Sequence, residues 1–74
     1  MDNQHRQIKG YRDLTQAEID QMNDIKLHGV KLQALIERLE QVPGIDSRWV
    51  AIGKTDLQTG LMALTRAVAR PTFF

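Results

Sequence analysis

Val42-Pro43-Gly44-Ile45-Asp46-Ser47 stops one helix and starts another. Proline cannot continue a helix and glycine favours its exit, so a helix arriving from the N-terminal side ends here. Asp46 or Ser47 can cap the helix that follows. The connection is short, which folds the two helices back on each other as an antiparallel hairpin. Upstream, Leu14-Thr15-Gln16-Ala17-Glu18-Ile19 reads as a capping box with a hydrophobic staple. Thr15 would accept from the Glu18 backbone, Glu18 would reach back to Thr15, and Leu14 would pack on Ile19. Asp20 adds an acid near the positive end of the helix dipole.

The first helix is expected over about 15–41. Ile25, His28, Leu32, Leu35, Leu39 and Val42 recur at helical spacing, and Val42-Pro43-Gly44 ends the run. The second is expected over about 47–70 and stopped by Pro71. Its stripe is Val50, Gly53, Leu57, Gly60, Leu64 and Ala67, widened by Leu61 and Val68. Each glycine costs about 1 kcal/mol relative to alanine in a helix. Close approach of another helix would compensate for that; space left for a ligand is the other account. Each helix would be roughly 35–40 Å long at 1.5 Å per residue.

The chain has 74 residues, no cysteine and a formal charge of +1. That allows one small domain, spanning 1–74, and no dinucleotide fold or α/β barrel. The absence of cysteine removes disulfides and thiolate metal sites. Hydrophobic content of 42% is that of a folded protein. Ten basic against nine acidic residues give no bulk field for DNA. The polar start, Met1 to Gln7, lacks the apolar core of a signal peptide, and no apolar run is long enough to cross a membrane. A soluble cytosolic protein is expected.

A two-helix hairpin has one seam and no enclosed core. Trp49, Ile52 and Met62 lie off the second stripe, and Phe73 and Phe74 follow it. Copies of the same chain are the nearest source of partners, so a symmetric homo-oligomer is expected.

Enzyme chemistry finds little support. His5 and His28 are the only histidines; His5 sits near the start, and His28 falls on the apolar stripe as a core or interface residue. No metalloprotease, phosphate-loop or nucleophile-elbow motif is present. Asp20 and Asp24, one turn apart, read better as a solvated face than as metal ligands. No metal and no cofactor are expected.

Charge distribution is more informative. Residues 1–12 carry Arg6, Lys9 and Arg12 against Asp2 alone, and residues 57–74 contain no acid but hold Arg66 and Arg70. Thr55, Thr59, Arg66 and Arg70 share a side of the second helix. The two arginines, at i and i+4, repel by a few tenths of a kcal/mol. They either complement the helix dipole or, with Thr72, form a pocket for a small anion. Lys26 interrupts the first helix beside Met22, Ile25, Gly29 and Val30, with Gly29 leaving space next to its ammonium. Tyr11 precedes the capping box. It either anchors the N-terminal segment on the hairpin or stacks a nucleobase while Lys26 meets a phosphate.

Gly10-Tyr11-Arg12-Asp13-Leu14-Thr15, Ile25-Lys26-x-x-Gly29, Arg48-Trp49-x-x-Ile52-Gly53-x-Thr55-Asp56-Leu57-Gln58-x-Gly60 and Thr65-Arg66-Ala67-Val68-Ala69-Arg70-Pro71 form an ordered set. Over about residues 8–74 the chain resembles the phage anti-CBASS sponge family. That family shares a helical-hairpin domain with the Thoeris anti-defence sponges. The resemblance implies an all-α protein, a short N-terminal segment plus an antiparallel two-helix hairpin, assembled as a compact homohexamer. It implies capture of cyclic oligonucleotide messengers without cleavage, in the cytoplasm of an infected bacterium, so that CBASS effectors stay inactive. Cyclic dinucleotides such as cyclic GMP–AMP would lie between protomers, with Tyr11 stacking on a base and Lys26 on a phosphate. Cyclic trinucleotides would occupy a separate site with Arg66, Arg70 and Thr72, beside Gly10 and Arg12. The very short turn between the helices departs from the family.

Overall fold

A computed structural model describes residues 13–72. They form two helices, α1 (Gln16–Glu40) and α2 (Ser47–Ala69), with no strand among the described residues. Tyr11, with the rest of residues 1–12, lies outside the described residues, as do Phe73 and Phe74.

Local chemistry sets the ends of both helices. The Glu18 N–H donates to Thr15 Oγ1 at 3.2 Å, and Glu18 Oε1 accepts from the Thr15 N–H at 2.8 Å. Two otherwise unpaired donors are thereby satisfied. Thr15→Ala is expected to cost about 1 kcal/mol. Circular dichroism would show this as a melting midpoint lower by roughly 4–8 °C. At the other end, Gln41 caps α1 and donates to Arg38 O at 3.1 Å. The Ile45 N–H then reaches Val42 O at 3.2 Å, with Gly44 at φ 79°. Proline second and left-handed glycine third is the residue pattern of a type II turn, in which that φ favours glycine. Of the two candidate caps for α2 it is Asp46 that acts, Oδ1 accepting from the Trp49 N–H at 3.2 Å.

The turn lays α2 antiparallel to α1: Leu61 packs on Gly29, and Arg70 reaches Glu18. The seam corrects the expected stripes. On α1 the covered residues are Met22, Ile25, Gly29, Leu32, Ile36 and Leu39, whereas His28, Leu35 and Val42 are exposed. The two rows share every second member. The observed row needs no buried imidazole and places a glycine where α2 comes close. On α2 the covered row passes through Val50, Gly53, Leu61, Thr65 and Val68, leaving Gly60, Leu64 and Ala67 outside and Leu57 at the margin. A Cβ built at Gly53 or Gly60 meets nothing within 4 Å, but one at Gly29 would lie 3.4 Å from Leu61 Cδ1. Within one protomer, close approach therefore occurs at Gly29 rather than at the two α2 glycines.

Ile36, at 9% exposure, is the single buried hydrophobic side chain among the described residues. Met62 is 71% exposed and Trp49 61%, with Arg48 lying 5.5 Å above the Trp49 ring. Leu27, Val30 and Leu64 are also exposed. One seam cannot cover apolar residues that run more than halfway round each helix. Neither helix is long and apolar enough to cross a membrane.

Candidate functional site

Gly29, where the two helices touch, lies in the groove that Lys26 and Arg66 also line. With no side chain at 29, Leu61 closes on α1, and a groove opens along the flank of that contact. The groove encloses about 800 Å³ and is open to solvent. Met22, Ile25 and Lys26 line it from α1; Met62, Thr65 and Arg66 line it from α2. Ala69 and Pro71 carry its wall to the end of α2.

Lys26 and Arg66 thus stand on opposite helices of one groove, though the sequence reading assigned them to different sites. Lysine supplies a compact charge with three donors and arginine a planar fork, both suited to phosphate oxygens. The methionine and isoleucine walls offer apolar surface for a planar ring, and thioethers adapt to irregular shapes. Thr65 spends its hydroxyl proton on Leu61 O at 2.9 Å. Gly29 lines this groove together with Lys26 and Leu61.

Arg70 is placed differently. It follows α2 in a left-handed conformation, φ 44° and ψ 61°, and its Nη2 donates to Glu18 Oε2 at 2.8 Å. No acid of α2 lies near the two arginines in sequence, but α1 provides one from across the hairpin. Sequence reasoning used Glu18 only as a cap. Thr72 is exposed at the last described position. Gly10, Tyr11 and Arg12 lie outside the described residues.

A second groove of about 370 Å³ runs toward the turn, between Leu32, Ile36 and Leu57. Glu37 and Glu40 line it against Lys54 alone, the wrong balance for a phosphate. Among the described residues, no three His, Cys, Asp or Glu side chains converge as metal ligands. His28 is exposed, its Nε2 3.5 Å from Asp24 Oδ1, so within the protomer it is not the core residue the stripe implied.

The hairpin domain of Acb2/Tad1 matches residues 3–69. Anti-CBASS protein 2 of Pseudomonas phage JBD67 is 40% identical over 105 aligned residues, covering 96% of this chain and 97% of the relative. That alignment is longer than the 74 residues here, so the relative carries residues with no counterpart in this chain.

Proposed function

The chain belongs to the Acb2/Tad1 hairpin-domain family, and from that premise we propose that it is a phage anti-CBASS protein that binds cyclic oligonucleotide messengers and withholds them without cleaving them. The observation that supports this reading most directly is the apolar-walled groove that Lys26 and Arg66 line from opposite helices. A cyclic dinucleotide has the matching chemistry: planar bases for the walls and a phosphate for Lys26. Tyr11 serves as the stacking residue and Lys26 as the phosphate partner. Arg66, Arg70 and Thr72, with Gly10 and Arg12, make a second site for cyclic trinucleotides.

Assembly completes both sites. The exposed Met62, Trp49 and Leu64 call for further copies of the chain, and a homohexamer is the proposed form. A two-fold contact brings two Lys26 side chains to a ligand that is itself close to two-fold. Three symmetry-related arginines suit a trinucleotide. Protein and ligand meet in the cytoplasm of the infected host, and duplex DNA is not a partner.

The test is to mix the purified protein with cyclic GMP–AMP, remove unbound ligand, denature by heat and analyse the released nucleotide. Intact ligand released from the protein supports sequestration. Linear product would make the protein an enzyme. No bound ligand would leave an assembly module without a pocket, the reading favoured by the exposed apolar surface taken alone.

A further inference from the structure

Glu18 is the one buried polar residue among those described, and at the open end of the hairpin it is bonded to the start of α1 and to the residue that follows α2. Its Oε1 holds the Thr15 N–H, from which the chain continues back to Arg12, Tyr11 and Gly10. Its Oε2 holds Arg70, two residues before Thr72. The carboxylate side chain is 11% exposed and the guanidinium side chain 68%, so the acid is the fixed partner and the arginine reaches to it. The backbone at Arg70 points the same way. Its left-handed φ of 44° is one that glycine adopts at low cost and arginine does not. A strained position occupied by a long cationic side chain indicates that the side chain is used. Pro71 cannot extend the helix, and the Arg70 N–H closes α2 on Arg66 O at 2.8 Å.

We propose that Glu18 and Arg70 form a clasp that ties the start of α1 to the end of α2, and that Arg70 serves the trinucleotide site as a positioning residue, through Glu18, rather than by touching the ligand. The ligand half of this inference rests on the function proposed above; the clasp itself does not.

A double-mutant cycle with Glu18→Gln, Arg70→Gln and the double variant tests it. Glutamine at 18 can still accept from the Thr15 N–H, so the cap survives while the charge is lost. At fixed protomer concentration each single change should lower the melting midpoint by roughly 4–8 °C. The double variant should fall no further than the worse single, because the two residues share one interaction. By calorimetry, each variant should weaken cyclic tri-AMP binding equally, by about fivefold, and leave cyclic GMP–AMP within twofold. That loss is about one kcal/mol of positioning, on the scale at which tenfold is 1.4 kcal/mol. Arg70→Lys, which keeps the charge and a donor, should recover most of both losses. Additive melting shifts would overturn the clasp. A trinucleotide loss from Arg70→Gln at least tenfold beyond that from Glu18→Gln would overturn the positioning role and make Arg70 a ligand contact. If the unmodified protein bound neither nucleotide, the proposed function and the positioning role would both fall, and the melting cycle would still decide the clasp.

Discussion

Lys26→Ala is expected to weaken cyclic GMP–AMP binding by at least a hundredfold while cyclic tri-AMP binding holds within about threefold. Lys26 lines the groove and is exposed in the protomer, so its removal leaves the seam untouched. Alanine is the best helix former, and the fold should be unchanged by circular dichroism. A hydrogen bond to a charged group contributes about 1.5–3 kcal/mol when water is excluded from it. A two-fold ligand meeting two copies of Lys26 loses that twice, which amounts to two decades or more at about 1.4 kcal/mol per decade. Arg66 remains in the groove but, as a single cation on the opposite helix, cannot replace a phosphate partner on α1. Titration calorimetry with each ligand reads the two sites separately. Equal losses for both would merge them into one site, and an unchanged dinucleotide affinity would remove Lys26 from the chemistry altogether.

Much of the hairpin was legible because its signals are local. Thr15 and Glu18 are three residues apart, Asp46 caps the helix beginning beside it, and Pro43-Gly44 sets the turn. What was not legible depends on choosing among faces. Several apolar rows run along each helix, and the row with the most regular spacing passes through His28 and Leu35, whereas the covered row passes through Gly29 and Ile36. Residue spacing alone cannot rank those rows, since only the partner helix decides which of them is covered. That Lys26 and Arg66 line one groove was within reach. Glu18–Arg70 and Gly29–Leu61 are both centred on Gly44-Ile45. Counting outward from that turn sets Lys26 opposite residues near 63, one helical turn from Arg66. The Glu18–Arg70 bond follows from the same count, but treating Glu18 solely as a cap hid its second oxygen.

Ile36→Ala carries the largest expected effect on stability. A domain of this length has about 0.05–0.15 kcal/mol per residue, hence roughly 4–11 kcal/mol in total. Truncating a buried isoleucine to alanine costs about 2–5 kcal/mol, least where neighbours can collapse into the space. The seam is only two helices wide and Ile36 retains 9% exposure, so the low end applies, about 2–3 kcal/mol. The melting midpoint should fall by roughly 10–20 °C. Leu35→Ala is the contrasting variant, adjacent in sequence but 40% exposed and on the row that the spacing alone had favoured. If the seam runs through Gly29 and Ile36, the loss at Leu35 is much the smaller of the two at equal protomer concentration. Dilution then separates the origins of the two losses. The Ile36 deficit is intramolecular and stays constant, whereas any Leu35 deficit that comes from contact with another copy grows as assembly weakens. A larger loss at Leu35 than at Ile36 in dilute protein would return the seam to the row through His28, and with it move Lys26 away from the groove it shares with Arg66.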